Sequence, residues 1–148
     1  MSHTETLQPS VIAAATSTGR PRRVLRRVGA VAAGLVAIFA VTTAIDGVLH
    51  ASGVFPPLGA PPMSSALFLL AFAYRLVIDV GGCWLAARLA PDRPMRHAMV
   101  LGAIGLGLSV AGSAAMWNAG PHWYPLALAA SALPCAWLGG SLRVRYAR

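Results

Sequence analysis

Residues 63–89 read MSSALFLLAFAYRLVIDVGGCWLAARL, an apolar stretch in which Arg75, Asp79 and Arg88 are the only charged residues. A helix that crosses the hydrocarbon core of a bilayer needs roughly 20 predominantly apolar residues. Prolines precede this stretch and a polar turn at residues 91–94 follows it, and irregular backbone is not tolerated in contact with lipid. The pattern therefore predicts a transmembrane helix over residues 63–89.

Three further apolar stretches accompany this one, at residues 28–49, 97–117 and 123–141. With 57% hydrophobic and 11% charged residues, the chain holds more apolar surface than a soluble core can hide. The sequence thus predicts an all-α fold, an integral membrane bundle of four transmembrane helices in residues 28–142. A mobile cytoplasmic tail with a basic cluster is expected at residues 1–27, and a short basic cytoplasmic tail at residues 143–148.

The basic residues indicate the orientation of the helices. The chain contains 12 Lys and Arg, all of them arginine, for a net charge of +8. They concentrate before the first stretch, around the turn at residues 91–94 and in the C-terminal tail, whereas the other two loops hold none. Because short cytoplasmic loops retain basic residues, both termini are predicted to be cytoplasmic. Arginines placed between apolar stretches are typical of lipid headgroup anchors, so no nucleic-acid partner is expected.

Arg75 and Asp79 are the most informative polar residues, because an unpaired charge inside the membrane costs at least about 2.5 kcal/mol. They are four residues apart, so on a helix they share a face and can pair. Asp46, near the end of the first apolar stretch, is a further candidate partner for Arg75. By helical rise, however, Arg75 lies about 18 Å from the start of its own helix at Met63. A contact between Asp46 and Arg75 therefore requires a long side chain or a tilted helix. The polar group is either an internal ion pair that fixes the helix register or a binding point for a proton, ion or anionic solute.

A second group of polar residues is expected on the outer side, where Asp46, His50 and His122 lie near helix ends. Carboxylate and imidazole are ligands that zinc accepts, but the spacing matches no metal motif. No metal and no cofactor are therefore predicted. At the inner turn, Asp92 near the N-cap and Pro94 in the first turn are expected to start the third helix.

Small residues recur at four-residue spacing on the apolar stretches, as in Gly105, Ser109 and Ser113. Membrane helices associate through such residues because lipid supplies no hydrophobic driving force between them. The spacing fits either packing within one molecule, which we favour, or self-association. It does not distinguish the two.

No catalytic motif stands out: the sequence has no phosphate-binding glycine loop, no recognisable nucleophile elbow and no paired metal motif. We therefore expect no enzymatic activity. The leading expectation is a small multi-pass protein of structural or accessory type, with the lipid bilayer and other membrane proteins, or a second copy, as partners. The alternative is a transporter or permease subunit with an intramembrane site at Arg75 and Asp79.

Several short motifs carry a resemblance to known proteins. They are Tyr74-Arg75, Gly81-Gly82, the sequence PMRHA at residues 94–98, PHWYP at residues 121–125 and WLGG at residues 137–140. With them the chain resembles small four-helix bacterial inner-membrane proteins of uncharacterised function. The resemblance implies a location in the bacterial inner membrane and no particular activity. The absence of lysine and the abundance of Ala, Arg and Gly are typical of a GC-rich bacterial genome.

Overall fold

A computed structural model describes residues 19–57, 63–118 and 120–146 of the chain. These residues form four α-helices, α1 (Gly19–Ala51), α2 (Ser65–Leu89), α3 (Pro94–Ala115) and α4 (Trp123–Tyr146). The predicted all-α fold is confirmed, and all four helices are long and apolar enough to cross a membrane. The greater part of the expected N-terminal tail, residues 1–18, and the last two residues of the C-terminal tail lie outside the described residues.

Two helices begin earlier than the apolar stretches suggest. The first helix starts at Gly19 rather than at residue 28, so the basic cluster expected in the tail lies on α1. Arginine has a long unbranched side chain that favours helices, so a change in polarity does not end one. The third helix starts at Pro94 rather than at residue 97, with proline at a position where its missing N–H costs nothing.

Asp92 is expected near the N-cap of the third helix, but the structure places a different residue there. Arg93 is the N-cap residue, in the left-handed conformation with φ of 42°, and no side chain caps the helix. Asp92 instead binds Arg27 of α1. Both carboxylate oxygens of Asp92 thus accept charge-assisted hydrogen bonds from one arginine rather than from backbone N–H groups at the start of α3.

The helices run up and down in turn, so that chain neighbours are antiparallel. One end of the bundle holds Arg27 and Asp92 and is called the Arg27 end. The opposite end holds the start of α2, the start of α4 and Asp46, and is called the Asp46 end. Helices α3 and α4 pack most extensively, whereas α1 and α3 make few contacts and, among the described residues, α1 and α4 make none.

Small residues form the helix contacts. Gly34 of α1 faces Gly82 of α2, Gly102 of α3 faces Ala136 of α4, and Gly139 of α4 packs against the α2 backbone. A β-carbon at Gly139 would lie 2.5 Å from the Val80 carbonyl oxygen. Small residues at these positions thus serve packing within the molecule, whereas a β-carbon at Gly105, the first residue of the spaced series on α3, or at Gly112 would meet no atom within 4 Å.

The core is built from small side chains, and the large apolar ones point outward. Among the described residues, Leu101 is the largest side chain that is fully buried, within a cluster of alanines and Cys83. Phe39, Val77 and Leu108, by contrast, are largely exposed on the lateral surface of the bundle. This arrangement is the reverse of a soluble helical bundle, which buries its large apolar residues.

Candidate functional site

An ion pair joins α1 to α2 near the Asp46 end of the bundle. Arg75 Nη2 donates to Asp46 Oδ2 at 2.7 Å, and each side chain is 28% exposed. The pair forms despite the distance of Arg75 from the start of α2. Side chains on a helix lean toward its N-terminus, which for α2 is the Asp46 end, and arginine is long enough to cover the remaining gap.

Two tyrosines extend this pair into a network. Tyr74 donates its hydroxyl hydrogen bond to Asp46 Oδ1, so both carboxylate oxygens of Asp46 are occupied. Arg75 Nη1 donates to the Tyr124 hydroxyl at 2.7 Å, which brings in α4. The four residues Asp46, Tyr74, Arg75 and Tyr124, called the Arg75 network below, therefore connect three helices. The Arg75 Nε atom is buried and has no hydrogen-bond partner among the described residues.

Aromatic rings surround the Arg75 network. The Arg75 guanidinium lies 5.9 Å from the Tyr74 ring centroid and 6.0 Å from that of Tyr124. Phe68 packs against Tyr124 with ring centroids 5.1 Å apart. Ring faces attract cations, and apolar rings keep water from the charges, so the aromatic groups strengthen the ion pair they surround.

Asp79 does not join the network, although the sequence suggests that it pairs with Arg75. Among the described residues it forms no ion pair and no side-chain hydrogen bond, since Arg75 extends away from it toward Asp46. Asp79 instead lines a cavity of about 220 Å³ whose walls come from all four helices, mainly from α1 and α3. Thr42, Cys83 and Ser109 lie in the same lining, which is otherwise apolar.

The expected outer group of Asp46, His50 and His122 does not assemble into a metal site. His50 Nδ1 lies 2.8 Å from the backbone oxygen of Asp46 and its ring meets Phe55 edge-on. His122 stacks on Trp117 with ring centroids 4.3 Å apart. Within the part of the chain that the structure describes, no three His, Cys, Asp or Glu side chains are placed to hold a metal ion.

A second polar group lies at the Arg27 end. Arg27 donates from Nε to Asp92 Oδ1 at 3.1 Å and from Nη2 to Asp92 Oδ2 at 2.5 Å. These hydrogen bonds hold the pKa of the Asp92 carboxyl below its usual range. Beside them, Arg27, Arg96 and His97 line the mouth of a cleft of about 480 Å³ between α1 and α3.

Two of these partnerships were missed by sequence reasoning. The sequence alone indicates no partner for Tyr124, and it indicates a headgroup anchor at Arg27, as at the other arginines that lie between apolar stretches. Long-range partners such as these depend on how helices cross, which residue spacing along one helix does not contain. The one available signal for Tyr124 is its place beside Trp123 at the start of a helix, at the same end of the bundle as Asp46.

The Arg75 network pairs a partly buried cation with a carboxylate of the same molecule and connects three helices. Asp79 contributes a carboxyl group to the lining of a mostly apolar cavity within the bundle. Comparison with protein-family models, with curated proteins and with solved structures finds no match to this chain.

Proposed function

We propose that the chain is a multi-pass integral membrane protein of the bacterial inner membrane, with both termini in the cytoplasm. Four helices of sufficient length and outward-facing large apolar side chains support insertion. Arginines gather at the Arg27 end, on the start of α1, around the turn between α2 and α3 and at the end of α4. The excess of arginine in short cytoplasmic segments supports this orientation. The resemblance to small bacterial inner-membrane proteins supports the location.

Reporter fusions test this topology. A fluorescent protein fused after residue 148 is expected to fluoresce, because it folds in the cytoplasm. A periplasmic phosphatase fused after residue 57, behind α1, is expected to be active because that loop is exported. An active phosphatase at the C-terminus together with an inactive one after residue 57 would overturn the proposed orientation.

Within the membrane, the chain serves a structural or accessory role as a partner of other membrane proteins or of a second copy. The observation that supports this role is that the Arg75 charge is taken up by Asp46, with a further hydrogen bond to Tyr124. A cation so engaged fixes the arrangement of three helices and has little capacity left for a solute. In this role, the rigid bundle offers its lipid-facing surface to other membrane proteins or to a second copy.

The second candidate function is a transporter or permease subunit, and Asp79 is the observation that favours it. Its carboxyl group lines a cavity and has no ion-pair partner among the described residues. Intramembrane carboxyl groups that face a cavity commonly mark proton, ion or solute paths. In this candidate, the site is centred on Asp79, and the Arg75 network supports it.

A ligand screen distinguishes the two roles. Detergent-purified protein is screened by thermal unfolding against metal ions, anions, organic cations and small metabolites, using wild type, Asp79→Asn and Asp92→Asn. A bound ligand raises stability by about 2.7 kcal/mol at a hundredfold excess over its Kd. The accessory role predicts no stabiliser that depends on Asp79. A compound that stabilises the wild type and Asp92→Asn but not Asp79→Asn would overturn it in favour of transport.

A further inference from the structure

The cleft at the Arg27 end combines a cationic mouth with apolar walls. Arg27, Arg96 and His97 lie at its mouth. Asp92 is the acid next to them, and it is already bound to Arg27. Within the described residues, Arg96 has no ion pair or side-chain hydrogen bond, and Arg27 Nη1 has no acceptor. The mouth therefore presents unused N–H donors and positive charge to an anion.

The third residue at the mouth, His97, points to the same ligand chemistry. Its Nδ1 atom lies 3.3 Å from the Arg93 carbonyl oxygen. That contact holds the ring beside the cleft, and only the imidazolium form has a second N–H to donate to an anion. Arginine and histidine on two neighbouring helices can thus surround a single phosphate group, for which the guanidinium plane is well suited.

Below the mouth, the walls of the cleft are branched aliphatic side chains. Val31 and Leu35 line the α1 side, and Val100 and Ile104 the α3 side. Val100 is 50% and Ile104 38% exposed, so no described segment of the chain covers this wall. The wall from Arg27 to Leu35 extends for about 12 Å by helical rise, which suits a hydrocarbon chain lying along the helices.

Aliphatic walls distinguish a lipid from a protein helix as the occupant. Close approach of a partner helix depends on small residues at the contact, whereas valine, leucine and isoleucine make up this wall apart from the single small residue Ala32. A soluble anion would use the mouth and leave the walls exposed. A phospholipid satisfies both halves of the cleft with one molecule.

We propose that the cleft between α1 and α3 at the Arg27 end binds an anionic phospholipid, with its phosphate at Arg27, Arg96 and His97 and an acyl chain along the aliphatic walls. This proposal rests on the proposed membrane insertion and cytoplasmic location of the Arg27 end. The bound lipid fills the cleft between α1 and α3, two helices that make few contacts with each other.

The test measures thermal unfolding in detergent with added phosphatidylglycerol or phosphatidylcholine of the same acyl chains. Phosphatidylglycerol is expected to raise the unfolding temperature of the wild type more than phosphatidylcholine does. Arg96→Gln is expected to weaken the apparent affinity for phosphatidylglycerol about fivefold. Arg145→Gln, at the same end but outside the cleft, is the matched control and should bind as the wild type does.

A second pair of variants tests the apolar wall. Ala32→Trp places a large ring in the cleft and is expected to weaken binding of phosphatidylglycerol with all charges intact, whereas Ala103→Trp, on α3 outside the lining, is not. Equal protection by both lipids, equal protection by inorganic phosphate, or an equal loss in Arg96→Gln and Arg145→Gln would overturn the proposal. These outcomes are independent of the reporter fusions, which test the topology separately.

Discussion

Arg75 of α2 forms its ion pair with Asp46 of α1 at 2.7 Å, and not with Asp79 one turn further along its own helix. This choice divides the intramembrane charges of α2 into two groups. Arg75 belongs to a network that connects three helices, and Asp79 belongs to a cavity. Because the two groups share no hydrogen bond or ion pair among the described residues, each can be tested by itself.

Loss of the Tyr124 hydroxyl is expected to weaken the bundle. In Tyr124→Phe, Arg75 Nη1 loses its acceptor on α4. A hydrogen bond to a charged group contributes about 2 kcal/mol, so the free energy of unfolding should fall by that order. Tyr146→Phe is the control, because Tyr146 is 83% exposed at the other end of the same helix. Equal stability of the two variants in detergent would show that the bond to Tyr124 is not structural.

The helices themselves follow from the pattern of the sequence. Long apolar stretches separated by proline-rich or polar turns predict four helices because lipid excludes irregular backbone. The start of α1 at Gly19 could not be predicted in this way, since arginine is compatible with both a helix and a tail. Polarity indicates which part of a helix can lie in lipid, not where the helix begins.

Gly139 is expected to tolerate no side chain. A β-carbon there would meet the Val80 carbonyl oxygen at 2.5 Å and the Trp84 backbone nitrogen at 2.8 Å, so α2 and α4 must separate in Gly139→Ala. Overpacking of this kind costs about 1–3 kcal/mol. Gly107→Ala is the matched variant, since nothing lies within 4 Å of its β-carbon position.

The thermal unfolding temperature in detergent should therefore fall in Gly139→Ala. It should stay the same or rise in Gly107→Ala, because alanine favours a helix by up to about 1 kcal/mol over glycine. If Gly139→Ala and Gly107→Ala have the same unfolding temperature, α2 and α4 do not pack through Gly139.

The candidate site could be predicted only in part. Sequence reasoning identified Arg75, Asp79 and Asp46, since charges inside apolar stretches stand out in any membrane helix. The four-residue spacing favours Asp79 over Asp46 as the partner of Arg75. A contact between helices depends on helix tilt and side-chain direction, which the spacing does not contain. Tyr124 could not be placed for the same reason: its role exists only where α4 crosses α2.

The pair of Arg27 and Asp92 predicts a pH dependence of stability. Because Arg27 lowers the pKa of the folded Asp92 below its unfolded value, the pair stabilises the fold above about pH 4. That contribution is lost as the pH falls through the lowered pKa of the folded state. The difference in unfolding temperature between wild type and Asp92→Asn should therefore shrink from pH 7 toward pH 3.

Salt provides an independent check on the same pair. Both side chains are exposed, so 1 M salt should screen their charges. The difference in unfolding temperature between wild type and Asp92→Asn at pH 7 should therefore become smaller. A difference that stays constant with both pH and salt would mean that the ion pair does not act on stability.

The central claim is that Asp46 and Arg75 stabilise the bundle as a pair, and a double-mutant cycle tests it most directly. The free energy of unfolding is measured for wild type, Asp46→Leu, Arg75→Leu and the double variant in the same detergent. Each single change leaves an unpaired charge in the bundle and should cost about 3 kcal/mol, whereas the double variant should recover most of that loss. If the free energy of unfolding of the double variant falls by the sum of the two single losses, Asp46 and Arg75 do not stabilise the bundle as a pair.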